Sequence, residues 1–246
     1  MTRIDIITIT KDDIKGVCNT VKSTRALRQR SEFKQIIVDS SSDEGRKQVE
    51  VLIHGEPSIE YIWQKPSGIA SAFNKGLRQS DAEWVWFLNG GDEVHPDVES
   101  ENLLYILRNT LADAVIFQME FLQSGGILER PPLSGLWPLI INWIPHPSTV
   151  TRKNLYTRYG NFNESYKIAM DYDFWFRCFS KDTVVDTLSI KLSKHDEDGL
   201  SNKNKSLAYR EILKIIKNYW PQVVKVWLIN VINRYHALRI YIKGSG

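Results

Sequence analysis

"WVWFLNGGDEVHP", residues 84–96, is the stretch on which the reading of this chain turns. An apolar run, Trp84 to Leu88, stops abruptly at Asn89-Gly90-Gly91-Asp92-Glu93. The run reads as a buried strand. The two glycines let the backbone approach a ligand closely or take positive φ. Asp92 and Glu93 supply hard oxygen atoms of the kind that hold Mg or Mn beside phosphates. A simple glycine turn, with Asp92 capping whatever follows Pro96, is the competing interpretation.

Working outward, the segments before this one alternate in type. "IDIITIT" (4–10) reads as a strand, and 13–30 is loosely helical with Ile14, Val17, Val21 and Leu27. "QIIVDSSSDEG" (35–45) is a strand running into a polar loop, followed by a helical stretch around 45–54. "SIEYIWQK" (58–65) is a short strand, and 68–79 is helical. Strands alternating with helices imply an α/β fold, a mostly parallel sheet with helices on both faces. Ligands of such sheets bind beyond the carboxyl ends of the strands. Those ends fall at Thr8–Lys11, Asp39–Asp43, Lys65–Gly68 and Asn89–Glu93, all polar. After Thr110 the order weakens: "DAVIFQMEFL" reads as another strand, and "SGGILERPPLSGLWP" as loop.

The 246 residues suit one large domain, or one with an appendage. A net charge of +3 is too small to imply a bulk electrostatic partner, but its distribution is uneven. From Lys203 onward there are nine Lys or Arg and one acid, Glu211. Cys18 and Cys178 lie far apart with no metal-ligand pattern, as expected of free thiols in a reducing compartment. The N-terminal apolar run is too short for a signal peptide, and no run approaches the roughly 18 apolar residues of a membrane span. A cytoplasmic location is expected.

Two further constellations carry chemistry. In "VDSSSDEG" (38–45), Asp39 and the hydroxyls could accept hydrogen bonds from a base or ribose, or form a turn capping the next helix. In "IAMDYDFWFR" (168–177), Phe174 and Trp175, with Cys178 and Phe179 after them, share one helix face, which puts Asp171 and Asp173 at the helix start. One carboxylate can offset the dipole and the other is left as a general base, which the helix end should keep ionised at pH 7. His146 and His195, in stretches read as loops, flank this constellation.

"IDIITITKDD", "IIVDSSSDEG", "GIASAFNKGL", "WVWFLNGGDEVHP" and "HPSTVTRKNLYTRYGNFNESYKIAMDYDFWFR", in this order, resemble the family 2 glycosyltransferases of GT-A fold, most nearly the bacterial polysaccharide and lipopolysaccharide transferases. The resemblance covers roughly residues 3–202. It implies a GT-A domain over 1–202 and a basic, aromatic helical extension over 203–246. It implies that Thr8 and Thr10 end the first strand beside a nucleotide, and that Asp39 binds the base with Ser42 nearby. Ser67, Asn74, Lys75, Asn89, Gly91 and Asp92 would surround the donor. Asp171 would deprotonate the acceptor hydroxyl, and His146, Asp173 and Arg177 would stand at or behind the acceptor. Asp92 and His195 would meet a metal ion or the diphosphate. The family's Asp-X-Asp loop is here Asn89-Gly90-Gly91 followed by Asp92, its Glu-Asp pair is Met170-Asp171, and its Asp-Lys-Gly is Pro66-Ser67-Gly68.

The expectation is therefore an inverting transferase of a nucleotide sugar, a UDP-sugar, onto a glycan hydroxyl in cell-surface polysaccharide, capsule or lipopolysaccharide synthesis, with Mg or Mn assisting. Residues 209–243 combine aromatics with Lys and Arg. That composition suits the inner membrane face and a polyprenyl-diphosphate-linked acceptor, or a helix packed on the domain or a partner chain. The rival reading is a lapsed GT-A protein that only binds nucleotide or glycan. No motif supports a nucleic-acid partner.

Overall fold

Isoleucine and threonine fill β1 (Ile4–Thr10), and both of its faces are enclosed. The computed structural model describes residues 2–128, 144–179, 183–199 and 204–219, with positions 221 and 224. After β1 come α1 (Ile14–Arg28), β2 (Phe33–Asp39), α2 (Asp43–Ile53), β3 (Ile59–Trp63), α3 (Ile69–Gln79) and β4 (Trp84–Phe87). Next are β5 (Glu93–Val94), α4 (Ser100–Asn109), β6 (Ala114–Phe121) and β7 (Ile127–Leu128). A 3-10 turn at His146–Ser148 leads into β8 (Thr149–Arg152), α5 (Asn154–Tyr159), α6 (Met170–Phe179) and β9 (Val185–His195). Another helix, α7, covers 205–219 among the described residues.

The strands form one sheet in the order β3-β2-β1-β4-β8-β6-β9-β5, with β7 on β6. The first four are parallel, β1 pairing β2 from Ile4 opposite Phe33 to Thr10 opposite Asp39. Beyond β4 the sheet is mixed: β8 runs antiparallel to both β4 and β6, while β9 runs parallel to β6. The expected α/β sheet is present.

Period-two alternation sorts the core. Ile4, Ile6, Trp84, Trp86, Val115 and Phe117 point to one face, against Leu27 of α1 and Leu103, Leu104 and Leu107 of α4. Ile7, Val85, Phe87 and Ile116 point to the other, against Phe73 and Leu77 of α3 and Phe174 and Phe176 of α6. Ile215 of α7 is fully buried in this second cluster, with Ile212, Ile216 and Tyr219 packed around it. Residues 205–219, within the extension expected from 203 onward, therefore pack on the domain through Ile215. The remainder of the 209–243 stretch, and most of the Gly- and Pro-rich segment around 124–138, lies outside the described residues.

Candidate active site

The loop after β4 is held from beneath by α1. The Thr20 hydroxyl donates to the Asp92 carbonyl at 2.7 Å and accepts the Gly91 N–H at 3.1 Å, with the Asn89 carbonyl 3.0 Å away. Gly91 has φ of +103°, and a Cβ there would stand 2.9 Å from a carboxylate oxygen of Asp196. Gly91 therefore meets both a backbone demand and a close approach by the chain itself.

Asp92 is almost fully buried. Its Oδ1 accepts from Nδ1–H of His195 at 2.7 Å and from the Asp196 N–H at 3.0 Å. Its Oδ2 is buried with no hydrogen-bond partner, as are Asn89 Oδ1, Thr10 Oγ1 and His146 Nε2. Buried polar atoms are almost always paired, so these unpaired atoms near the ends of β1 and β4 are where a ligand or an ordered water would bond. The fold thus joins Asp92 and His195 across 103 residues. His195 is the last residue of β9 and not a loop residue, and Asp92 caps no helix: α4 begins after Glu99. Burial disfavours the His195 imidazolium, yet the hydrogen bond to Asp92 and the charges of Asp92, Asp196 and Glu197 outweigh it and raise the pKa. His146 is the opposite case. Its ring packs on Phe73 and Phe87 at 5.0 Å, and desolvation, with His195, lowers its pKa to about 3.

Among the described residues no three His, Cys, Asp or Glu side chains converge as a metal cage. The unpartnered Asp92 Oδ2 and Asn89 Oδ1 are nevertheless hard oxygens, the chemistry Mg or Mn takes when substrate phosphates and water complete its shell.

At the ends of β1 and β2 the structure builds a polar lattice. Asp39 is fully buried; Oδ1 accepts from Ser41 N–H at 2.8 Å and Oδ2 from the Tyr61 hydroxyl at 2.7 Å. Ser42 caps α2 and bonds Asp12 through both its amide and hydroxyl, which holds the Asp12 carboxyl below its usual range. Asp12 sits at φ +52° and donates its own N–H to the Ser41 hydroxyl oxygen. Thr10 belongs to this rim, but Thr8 does not: its hydroxyl accepts from Gln35 inside the sheet. Ser67 lies exposed before α3, its hydroxyl on that of Ser71. Asn74 braces α3 against the 162–164 segment through three hydrogen bonds to Phe162 and Glu164, beside the half-buried Lys75.

Asp171 and Asp173 do occupy the first turn of α6. Asp171 keeps some exposed surface and accepts from Tyr172 N–H at 2.7 Å, yet desolvation of its carboxyl dominates and pushes its pKa up to about 6. This reverses the expected direction. Three amides just before the helix, at Lys167, Ile168 and Ala169, are already taken by the Glu211 carboxylate of α7. Asp173 is buried, which raises its pKa, and pairs with Arg177 at 3.1 Å. Arg177 in turn bonds the carbonyls of Tyr159, Gly160 and Asn161. Asp173 and Arg177 thus clamp α6 to the turn after α5. Thr20, Tyr61, Asp196 and Glu211 lie in none of the quoted motifs, and Asp12, inside the first, is not singled out by it; each acts through a partner distant in sequence.

The model of glycosyl transferase family 2 matches residues 5–182, and the chain belongs to that family. It is a glycosyltransferase. An uncharacterized glycosyltransferase of Mycobacterium tuberculosis is 27% identical over 179 residues, covering 71% of this chain and 68% of its own. A PGL/p-HBAD biosynthesis glycosyltransferase of Mycobacterium bovis is 22% identical over 216 residues, covering 78% and 81%. Among solved structures, S. aureus TarS 1–349 in complex with UDP-GlcNAc superposes with a TM-score of 0.73 at 16% identity, over 92% of this chain and 67% of that one. The match spans only 39% of the longer TarS chain. A mannosyltransferase from Pyrobaculum calidifontis, in complex with GDP-Man and Mn2+, has a TM-score of 0.58 at 16% identity, over 78% of this chain and 56% of that one. At such identities the likeness concerns fold. It is the GT-A arrangement expected from the motifs.

Proposed function

We propose that this glycosyltransferase moves a sugar from a UDP-sugar to a glycan hydroxyl with inversion at the anomeric carbon. One observation carries the reading: Asp92 meets His195 and Asp196 at the strand ends while its second oxygen stays buried and open. His195 and the Asp196 amide fix Oδ1, which leaves Oδ2 as the oxygen without a partner, available to a metal ion or to water beside the diphosphate. The lattice of Asp12, Asp39, Ser41 and Ser42 shapes the floor for base and ribose, with Ser67, Asn74 and Lys75 behind the donor. Asp39, enclosed as it is, organises this floor through Ser41 and Tyr61. A bound Mg or Mn, held by Asp92 and Asn89, would neutralise charge on the leaving diphosphate.

Asp171 is the base. Its carboxylate accepts the proton of the acceptor hydroxyl as that oxygen bonds to the anomeric carbon; the bond to the diphosphate breaks, and the nucleoside diphosphate leaves with the electron pair. A pKa of about 6 suits the task, being basic enough to accept the proton and largely ionised at pH 7. His146, Asp173 and Arg177 support this side by packing and clamping. The acceptor is a cell-envelope glycan on a polyprenyl diphosphate. The outward face of α7, where Tyr209 and Leu213 are exposed among Arg210, Lys214 and Lys217, supports this reading.

A thermal-shift screen of UDP, GDP, CMP and dTDP, each with and without Mn2+, tests the donor side. Saturating UDP should raise Tm, since a ligand at about 100 Kd adds about 2.7 kcal/mol. Mn2+ should enlarge that shift in the native protein and not in Asp92→Asn. No shift with any nucleotide would overturn the reading.

A further inference from the structure

Glu211 is the single acid among nine Lys and Arg from residue 203 onward. Among the described residues its carboxylate pairs with none of those cations. It accepts from three successive backbone amides, Lys167 at 2.8 Å and Ile168 and Ala169 at 2.9 Å each. The Ala169 carbonyl then receives the Asp173 N–H at 3.1 Å, in the first turn of α6. The carboxylate is therefore seated at a helix N-terminus, where free N–H groups and the dipole favour an anion. The helix in question is the one that carries Asp171.

α7 delivers that carboxylate rigidly. Ile215 is buried in the core, Tyr219 stacks on Phe176 with ring centroids 5.3 Å apart, and its hydroxyl reaches Asp173 at 3.4 Å. Without Glu211, the three amides would seek another acceptor. Asp171, two residues after Ala169, is near enough in sequence to reach back toward them, as the acidic residue of a capping box reaches back to the amide at the helix start. A carboxylate drawn onto these amides would gain hydrogen bonds beyond the one from Tyr172 and be weakened as a base.

We propose that Glu211 is a positioning residue for the transfer reaction, filling the amides of 167–169 so that the Asp171 carboxylate, which keeps its bond from the Tyr172 N–H, is not drawn back onto them. This rests on the reading of Asp171 as the base. The C-terminal helix is then a working part of the catalytic apparatus.

The test compares the full chain with Glu211→Gln, Glu211→Asp and Asp171→Asn. Three readouts are needed: kcat and KM for UDP release from UDP-GlcNAc, amide hydrogen exchange over 166–173, and Tm. Glu211→Gln keeps the volume but removes one acceptor oxygen and the charge. It should lower kcat by about tenfold or more, because small misplacements of reacting groups are costly, while KM for the donor changes less than about twofold. Amides 167–169 should exchange at least about tenfold faster while the rest of α6 is unchanged, the mark of a local opening. Glu211→Asp, retaining an anion on a shorter arm, should recover part of the loss. A Glu211→Gln protein with native kcat and native exchange overturns the inference, as does a kcat loss that only follows a fallen Tm. If Asp171→Asn keeps full turnover, the base assignment itself fails. If Asp171→Asn is inactive and Glu211→Gln is not, Glu211 alone fails. The exchange readout needs no substrate, so native protection at 167–169 would overturn the proposal even if UDP-GlcNAc is not turned over.

Discussion

Asp171 joins two properties that pull against each other. Enclosure raises its pKa to about 6 and so makes it a better proton acceptor, and the same enclosure makes its ionisation costly to the fold. The native pKa lies above the usual carboxylate value of 3.8, so the folded state binds the proton more tightly than the unfolded state. Stability is therefore full at low pH and declines as pH rises from about 4 to about 6. With some surface still exposed, the loss is discounted to about 1–2 kcal/mol. Asp171→Asn, which cannot ionise, should match the native Tm near pH 4 and exceed it at pH 7.5. Transfer by the native enzyme should rise through an acid limb near pH 6. Asp171→Asn should lose about two to four orders of magnitude in kcat, the range for a removed general base. UDP binding should survive. A Tm for Asp171→Asn below the native value at pH 7.5 would show that the carboxylate is a structural asset and not a strained one.

At the scale of elements, the loop after β4 is useful only because α1, β4 and β9 are docked together. Thr20 shows how. One hydroxyl in the middle of α1 serves the Gly91 amide and the Asp92 carbonyl, both buried. Thr20→Val keeps the shape and strands those groups, at a cost of about 1–3 kcal/mol. The expected result is a lower Tm together with a smaller UDP-and-Mn2+ shift; a lower Tm with the nucleotide shift intact would separate Thr20 from the site. Nothing in the sequence flags this residue, because a threonine inside a helix is unremarkable until its partner 71 residues away is known. The parallel half of the sheet was legible for the opposite reason. β1, β2 and β4 are buried runs with polar ends, and their pattern is local. β9 was not, since most of its eleven residues are only partly buried and its polar positions resemble loop. His195 accordingly reads as a loop residue, and the resemblance brings it and Asp92 to a metal ion or the diphosphate, not to each other. The direction of the Asp171 shift is not legible in the sequence because its cause is burial in the folded chain, which outweighs the local bond from the Tyr172 amide.

For the whole molecule, the question is what α7 is for. Composition alone allowed a membrane-facing helix or one packed on the domain, and the structure shows the second for its inner face while leaving the basic, aromatic outer face open. Two functions on opposite sides of one helix can be separated by mutation. Ile215→Ala should leave a cavity in the cluster shared with α6 and cost about 2–5 kcal/mol. For a chain of this size that lowers Tm by roughly 2–4 °C per kcal/mol. Glu211 should still reach the amides of 167–169 in this variant well below its Tm, so kcat at 20 °C should stay close to native. Truncation before residue 205 removes the packing and the carboxylate together, and should depress both Tm and kcat. If Ile215→Ala lost kcat at 20 °C in proportion to the truncation, packing alone would position α6. A native kcat in Ile215→Ala beside a depressed one in Glu211→Gln would instead assign stability to the apolar side of α7 and positioning of the base to its one acid.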